Sequence, residues 1–127
     1  MPLVRVSMQH GRTPEQKRAI ANATYEAMRE AINIPDDDRF VLIDERAAED
    51  IFVDKNFMST GRSPETIIVE ITLRAGRTET MKQVLYRRLA ELLAEQAGIA
   101  AADVMVVLHE NQSADWSFSG GIAQYLP

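Results

Sequence analysis

Residues 67–78 read IIVEITLRAGRT and carry the pattern that decides the fold. Apolar side chains stand at every second position of the first eight residues, the pattern of a β-strand with one buried face, as Ile67, Val69, Ile71 and Leu73. Gly76 then interrupts the alternation, and Thr78 has a side chain that suits the N-cap of a helix. The stretch therefore predicts a strand that is followed at once by a helix.

The same pattern occurs a second time in the chain. A shift of 65 positions (67 − 2) places residues 2–45 on residues 67–110 without a gap, and Gly11-Arg12-Thr13 then coincides with Gly76-Arg77-Thr78. Two copies are too few for a solenoid. We therefore interpret residues 1–127 as one domain built on a duplicated unit.

Each copy predicts a strand, a helix and a second strand. Thr13 and Pro14 provide an N-cap and a first helical residue, and Thr78 caps the second helix in the same way. Apolar residues then recur with helical spacing in both copies. The closing strands are predicted over about 40–44 and 104–109, where both faces look apolar.

Two such units predict an α+β fold. The β-α-β units form a four-stranded sheet with both helices on one face, because parallel crossovers are right-handed. The second face looks apolar, and no further helix remains to cover it. We therefore expect self-association to bury that face, which makes a homo-oligomer the predicted state.

The composition excludes several classes of protein. The chain has 127 residues, a formal net charge of −5 and no cysteine. It lacks the basic stripe of a nucleic-acid-binding protein, and it cannot form disulfides or use thiolate ligands. Its two histidines, His10 and His109, have no carboxylate at a spacing that predicts a metal site. With no signal peptide and no long apolar run, a cytoplasmic protein that contacts neither membranes nor nucleic acid is expected.

Pro2 is the first candidate for chemistry. Removal of Met1 would leave a secondary amine at the amino terminus, and an α-amino group titrates near ~7.7–8.0. Burial or a nearby cation lowers the pKa of such an amine, whereas a nearby carboxylate raises it. The amine can therefore act as a base or as an acid near neutral pH.

Several features together resemble the tautomerase superfamily, whose members use an amino-terminal proline. They are the run at residues 2–6 (PLVRV), the Gly11-Arg12-Thr13 motif and the duplicated unit. Within the superfamily, the chain is similar to the malonate semialdehyde decarboxylase group, which has runs like those at residues 34–40 (IPDDDRF) and 115–118 (DWSF). The resemblance implies a trimer that acts on small oxo acids without a metal or an organic cofactor.

The resemblance also implies roles for particular residues. Asp38 would set the charge and orientation around Pro2, while Arg74 and Arg77 would hold a substrate carboxylate, a task that suits the guanidinium fork. Some members of the group place the second arginine two positions after the first. This chain has Gly76 there and offers Arg77 one position later.

Large apolar residues are candidates for the wall of a substrate pocket. Trp116 and Phe118 would remove water from around Pro2, and Phe57 and Met58 would close the pocket. Each of the four has an alternative interpretation as a residue that only packs against the rest of the chain.

The polar candidates have alternative interpretations of the same kind. Arg74 and Arg77 can be read as solvated surface charges, and Asp38 as a turn residue at the entry to a strand. Asp38 has Asp103 as its counterpart in the second copy, far from any proline amine, which also favours a role in folding.

Three functional hypotheses follow. In the first, cationic Pro2 polarises the carbonyl of a 3-oxo acid such as malonate semialdehyde, and the arginines hold the carboxylate that is lost. In the second, neutral Pro2 moves a proton in a 2-oxo acid such as phenylpyruvate, as a keto-enol tautomerase. The carboxylate of Asp38 favours the cation and hence decarboxylation. In the third, Met1 stays in place, Pro2 is an inert amide, and the chain is a non-catalytic oligomeric or ligand-binding module.

Overall fold

The computed structural model describes residues 2–127. Its main elements follow the predicted order of strand, helix and strand, twice over: β1 (Leu3–Gln9), α1 (Pro14–Ile32), β2 (Val41–Arg46), β3 (Ile67–Arg74), α2 (Glu79–Ala97) and β4 (Val104–Asn111). The closing strands run slightly longer than the sequence predicts. No helix within residues 2–127 is both long and apolar enough to cross a membrane.

Both helices begin where their capping residues predict. The Thr13 hydroxyl accepts a hydrogen bond from the backbone N–H of Gln16, whose side-chain oxygen accepts one from the Thr13 N–H, so that two otherwise unpaired donors are satisfied. The Thr78 hydroxyl accepts from the Met81 N–H at 3.2 Å. The Gly-Arg-Thr motif therefore ends a strand and starts a helix in both halves of the chain.

The sheet confirms the predicted α+β fold. Its strand order is β2-β1-β3-β4, with β1 parallel to β2 and β3 parallel to β4. The two units meet along the antiparallel pair β1 and β3, where Leu3 lies opposite Thr72. This arrangement brings the amino-terminal end of β1 next to the carboxyl end of β3.

The core lies between the sheet and both helices. The strands supply Val4, Val6, Met8, Ile67, Val69, Ile71 and Leu73, and the helices supply Ile20, Met28, Leu85, Leu89 and Leu93, all without solvent exposure. Complete burial of one such side chain stabilises the fold by about 1.5–3 kcal/mol. The alternating pattern of residues 67–73 thus describes the inner face of the sheet correctly.

The outer face of the sheet is less apolar than the sequence suggests. It does expose apolar side chains, namely those of Leu3, Leu42 and Met105. Between them lie the ion pair of Arg5 with Asp44 at 3.2 Å and a hydrogen bond between His109 and the carboxylate of Glu70 at 3.1 Å. The expectation of an apolar second face is therefore only partly right, because alternate positions of β1, β2 and β3 carry charges.

Candidate active site

Pro2 lies where the two halves of the chain meet, at the start of the central strand β1. It is buried and directly precedes β1. Because Leu3 lies opposite Thr72, continuation of the antiparallel register by one residue places Pro2 beside the end of β3, which closes with Arg74. The topology therefore brings two of the predicted site residues together.

Asp38 lies in the segment before β2, which is bound to the start of β1 near Pro2. The backbone N–H of Val4 donates to the carbonyl oxygen of Phe40 at 2.8 Å, which ties the segment before β2 to the start of β1. Asp38 stands two residues before Phe40 and is 4% exposed, so that its carboxyl group is enclosed by protein. Asp38 follows the turn at residues 36–37 and precedes β2, so a role as a buried residue at the entry to a strand remains open beside the catalytic one.

The second copy shows what an aspartate at this position does. Asp103 accepts hydrogen bonds from the Ser63 N–H and hydroxyl, both at 2.7 Å, and from the Thr66 hydroxyl at 3.0 Å. Burial raises the pKa of Asp103, but these hydrogen bonds outweigh it, and the net pKa lies below its usual value. Asp103 thus holds the chain just before β3, and Asp38 has the equivalent position with respect to β1, where Pro2 lies.

Arg74 and Tyr125 form the centre of the candidate site. The guanidinium carbon of Arg74 lies 3.8 Å from the centroid of the Tyr125 ring, and Nη1 donates weakly to the Ser113 hydroxyl at 3.4 Å. Within residues 2–127, Nε of Arg74 and the hydroxyl of Tyr125 are both buried without a hydrogen-bond partner. Unsatisfied buried donors are rare, so each of these two needs an explanation, and an acceptor supplied by a ligand would provide one.

Charged groups of the site act on the phenol of Tyr125. Burial raises the pKa of Tyr125 above its usual value, Arg74 opposes this rise, Asp38 adds to it, and Arg77 opposes it. The four side chains are therefore within electrostatic reach of one another. A phenol is protonated near neutral pH at its ordinary pKa, and a raised pKa keeps it so, which leaves the hydroxyl able to donate a hydrogen bond.

Arg77 lies next to Arg74, three residues further along the chain. Its Nη1 donates to the carbonyl oxygen of Arg74 at 2.9 Å. The two arginines share a cavity of about 350 Å³ with Gln112 and Ser113. The predicted pair of arginines is thus brought together, and neither side chain is a fully solvated surface charge.

Trp116 and Phe118 form an aromatic wall beside Tyr125. Their rings stack at a centroid distance of 5.3 Å, and the ring of Phe118 meets that of Tyr125 edge-on at 5.3 Å. The indole N–H of Trp116 donates to the Asn111 side chain at 2.7 Å. These two residues line a cavity of about 390 Å³ together with Leu3, Phe40, Thr72, Asn111 and Asp115.

Phe57 and Met58 lie elsewhere in the chain. They line a separate cavity of about 440 Å³, next to Ile68 near the start of β3. Arg74 is six positions further along β3, which corresponds to roughly 20 Å. Within one chain the structure therefore does not bring these two residues to the cluster around Pro2.

Sequence reasoning did not place Tyr125 in this cluster. No motif or periodic pattern near Tyr125 reveals that the chain folds back over the end of β3, where Tyr125 meets Arg74. No group of three histidine, aspartate or glutamate side chains that could hold a metal ion is present within residues 2–127.

Comparison with known proteins gives consistent results. A family model described as tautomerase enzyme matches residues 38–119, and a second with the same description matches residues 2–60. The probable tautomerase YusQ of Bacillus subtilis (strain 168) is 32% identical over 126 residues, which cover 99% of both chains.

Solved structures show the same likeness. A malonate semialdehyde decarboxylase, described with decarboxylase and hydratase activities, superposes with a TM-score of 0.92 at 30% identity, over 97% of this chain and 95% of that one. The FG41 malonate semialdehyde decarboxylase inhibited by 3-bromopropiolate gives 0.91 at 37% identity, over 97% and 93%. A fused 4-OT described as a symmetric trimer gives 0.77 at 28% identity, over 94% of both chains.

Proposed function

Because this chain belongs to the tautomerase family, we propose that it is a cofactor-independent enzyme whose working group is the amine of Pro2 after removal of Met1. Its proposed reaction is the decarboxylation of a 3-oxo acid similar to malonate semialdehyde. The observation that carries this proposal is that Arg74, at the end of β3, and Tyr125, which packs against it, each have a buried donor without a hydrogen-bond partner within residues 2–127, namely Arg74 Nε and the Tyr125 hydroxyl. The similarity to two malonate semialdehyde decarboxylases supports the same reaction.

A carboxylate is the ligand that best suits these donors. It accepts hydrogen bonds through two oxygens, so that one group can satisfy both Arg74 and Tyr125. Arg77, which lines the same cavity as Arg74, adds positive charge close by. The aromatic wall of Trp116 and Phe118 keeps water away from one side, which strengthens every electrostatic interaction inside the site.

The proposed reaction needs a cation at the carbonyl end of the substrate. The protonated amine of Pro2 donates a hydrogen bond to the carbonyl oxygen and stabilises negative charge as it develops there. The bond between the carboxylate carbon and the neighbouring carbon breaks, its electron pair moves toward the carbonyl, and carbon dioxide leaves. Protonation of the resulting enolate at carbon then gives the aldehyde, so that one proton is consumed for each carbon dioxide released.

Asp38 is the proposed positioning residue for the Pro2 amine. A carboxylate near an amine favours its protonated form. Asp38 is buried beside the start of β1. In the other half of the chain, Asp103 has the equivalent position and holds the segment before β3 by hydrogen bonds. Asp38 would therefore keep Pro2 cationic and fix its direction.

Keto-enol tautomerisation of a 2-oxo acid such as phenylpyruvate is the second candidate function. The similarity to the probable tautomerase YusQ over almost the whole chain favours it. It requires neutral Pro2 as a base, whereas decarboxylation requires the cation. The same carboxylate contacts would serve both reactions.

Proton NMR of protein whose mass confirms the loss of Met1 tests these proposals. The wild type is compared with Pro2→Ala, Arg74→Ala and Arg77→Ala, and with Arg87→Ala as a control that removes an exposed arginine of α2. Release of acetaldehyde from malonate semialdehyde that falls by about 10² or more in Pro2→Ala supports decarboxylation. Ketonisation of phenylpyruvate enol alone supports the tautomerase, and no Pro2-dependent turnover of either, or retention of Met1 throughout, supports a non-catalytic module.

A further inference from the structure

The residue after Asp38 is bound to helix α1. The guanidinium carbon of Arg39 lies 4.6 Å from the centroid of the Tyr25 ring, and Nη1 of Arg39 donates to the side-chain oxygen of Asn22 at 2.8 Å. Tyr25 in turn packs against the hydrophobic core. Stacking and a directed hydrogen bond together fix the position and the orientation of the planar guanidinium group. Arg39 therefore ties the segment that carries Asp38 to a helix that is anchored in the core.

The other side of Asp38 is bound to the same helix. Nη2 of Arg29 lies 2.6 Å from the carboxylate of Asp36. Asn22, Tyr25 and Arg29 follow one another at spacings of three and four residues, so they form one stripe along α1. Exposed ion pairs and cation–π contacts are individually weak, but these contacts hold both ends of one short segment. The backbone on each side of Asp38 is thus fixed relative to α1.

The backbone of this segment needs such support. Asp37, which directly precedes Asp38, has a φ of 64°. This left-handed conformation is unfavourable for residues other than glycine, although aspartate tolerates it better than most. Such a conformation persists where the surrounding structure holds it in place. Loss of the contacts with α1 would let the segment adopt other conformations and would carry the buried carboxylate of Asp38 with it.

The second half of the chain holds its aspartate in a different way. After a shift of 65 positions (90 − 25), the places of Tyr25, Arg29, Asp36 and Arg39 are taken by Ala90, Ala94, Ala101 and Val104. Asp103, the counterpart of Asp38, is instead held through its own carboxylate, which accepts three hydrogen bonds. In the first half, the contacts at Asp36 and Arg39 fix the position of Asp38 without occupying its carboxylate oxygens.

We propose that Tyr25 and Arg39 are positioning residues, which hold the carboxylate of Asp38 toward the amine of Pro2 and do not touch the substrate. The inference rests on the proposed role of Asp38 in keeping Pro2 cationic. The attraction between a carboxylate and a protonated amine falls with their separation. A carboxylate that is held close therefore raises the pKa of the amine more than one that moves away.

The charge of Arg39 gives this inference a distinctive sign. Removal of a cation that acted on Pro2 through its charge alone would raise the pKa of the amine. Removal of a residue that positions Asp38 would lower this pKa, because the amine loses the carboxylate beside it. The other ionisable side chains around the end of β3 stay the same in such a variant, namely Arg74, Arg77 and Tyr125.

Nitrogen-15 NMR of protein made with isotope-labelled proline measures the pKa of the Pro2 amine directly. The mass of the protein first confirms the loss of Met1. The chain has five prolines, and those inside the chain are tertiary amides without an N–H group, which do not titrate near neutral pH. A proline signal that moves with pH in this range therefore belongs to Pro2, and the measurement needs no substrate.

We expect Asp38→Asn to lower the titration midpoint of Pro2. Tyr25→Leu and Arg39→Ala should lower it too, by about 0.3 pH units or more, which is roughly a twofold change in the acid dissociation constant. Tyr25→Phe keeps the ring under Arg39 and should retain the wild-type midpoint. Arg18→Ala is the matched control, since it removes an equal charge from an exposed position of α1 and should leave the midpoint where it is.

A double variant shows whether the effect passes through Asp38. In an Asp38→Asn background, Arg39→Ala should lower the midpoint no further, because both substitutions act through one carboxylate. An equal lowering in that background would overturn the inference. A higher midpoint in Arg39→Ala, the wild-type midpoint in Tyr25→Leu, or the wild-type midpoint in Asp38→Asn would overturn it as well. Arg39 is exposed, so Arg39→Ala leaves the core intact even if Tyr25→Leu disturbs it.

The midpoint and the turnover of substrate separate this inference from the proposed function. Turnover that does not depend on Pro2, with midpoints that move as expected, would contradict the proposed function alone. Turnover that depends on Pro2, with the wild-type midpoint in Tyr25→Leu and Arg39→Ala, would contradict this inference alone.

Discussion

The guanidinium group of Arg74 lies over the face of the Tyr125 ring, with 3.8 Å between the guanidinium carbon and the ring centroid. An arginine desolvated on an aromatic face gains roughly 2 kcal/mol from this contact. The ring therefore holds the guanidinium in one orientation without using its hydrogen-bond donors, and Nε remains unpaired and buried. Tyr125 thus has two separable parts, a ring that positions Arg74 and a hydroxyl that can bind a ligand.

Substitution Tyr125→Phe separates these two parts. It keeps the ring under Arg74 and removes only the hydroxyl, so we expect kcat/KM for decarboxylation to fall by about 10-fold or more, the equivalent of one hydrogen bond to a charged group. Tyr125→Leu removes the ring as well and should lower kcat/KM further. Tyr86→Phe, on α2, is the control. Unchanged kcat/KM in Tyr125→Phe would show that the hydroxyl does not contact the substrate.

The phenol of Tyr125 should titrate above its usual pKa. Burial raises this pKa, Arg74 and Arg77 oppose the rise, and Asp38 adds to it. Ultraviolet absorbance titration of the wild type minus that of Tyr125→Phe isolates this phenol among the three tyrosines. Asp38→Asn should move its midpoint to lower pH, since a neighbouring negative charge is removed. A midpoint at or below the usual value in the wild type would contradict the packing described for Tyr125.

The fold was predictable because its determinants are local. The alternation in residues 67–73, the capping threonines Thr13 and Thr78, and the repetition of both after 65 positions (78 − 13) specify β1, α1, β3 and α2. The apolar runs at 40–44 and 104–109 specify the closing strands β2 and β4. The order of the strands follows from the duplication, and the helices lie on one face as right-handed crossovers require. The alternating pattern did not predict that charged residues such as Arg5 and Asp44 lie on the outer face of the sheet.

The candidate site was predictable only in part. Pro2 was a candidate because an amino-terminal proline is a titratable amine, whereas the roles of Asp38, Arg74 and Arg77 came from a family resemblance. The structure places Pro2 at the start of β1, next to the end of β3, where Arg74 and Arg77 lie. Tyr125 could not be placed, because its position depends on how residues 116–127 fold back over β3, and no periodic pattern encodes such a path. Phe57 and Met58 were grouped with the site although their cavity lies at the other end of β3. Their predicted substrate contact stays a prediction that needs a second chain.

Substitution Asp103→Asn should destabilise the protein at neutral pH. The carboxylate of Asp103 accepts three hydrogen bonds at the turn before β3, and loss of a charged acceptor costs about 1.5–3 kcal/mol. Because the pKa of Asp103 is lowered in the folded state, this contribution is complete above the unfolded value of about 3.9 and disappears as the pH falls through the folded value.

Urea unfolding at several pH values measures this effect. The difference between the wild type and Asp103→Asn should be largest near neutral pH and shrink below pH of about 4. The control is Asp36→Asn, which removes an exposed carboxylate paired with Arg29 at 2.6 Å and should change the free energy of unfolding by less than about 1 kcal/mol. A difference that grew toward acid pH would have the wrong sign for a lowered pKa.

Met58 offers a test of self-association that is independent of catalysis. Its φ is 46°, in the left-handed region that favours glycine, and its side chain is 88% exposed. A non-glycine residue pays about 1–2 kcal/mol for this conformation, and an exposed side chain in one chain returns nothing for that cost. Phe52 and Phe57 are exposed beside it, which makes a patch of the kind that other copies of a chain cover.

Met58→Gly should therefore leave the free energy of unfolding of the isolated chain unchanged or slightly higher, because relief of strain offsets the greater freedom of glycine. The same variant should dissociate at higher protein concentrations than the wild type in sedimentation velocity runs, while Tyr86→Ala on α2 should not. If Met58→Gly associated as tightly as the wild type, the patch would lie outside the contact between chains, and the predicted role of Phe57 and Met58 in a neighbour's pocket would fail with it.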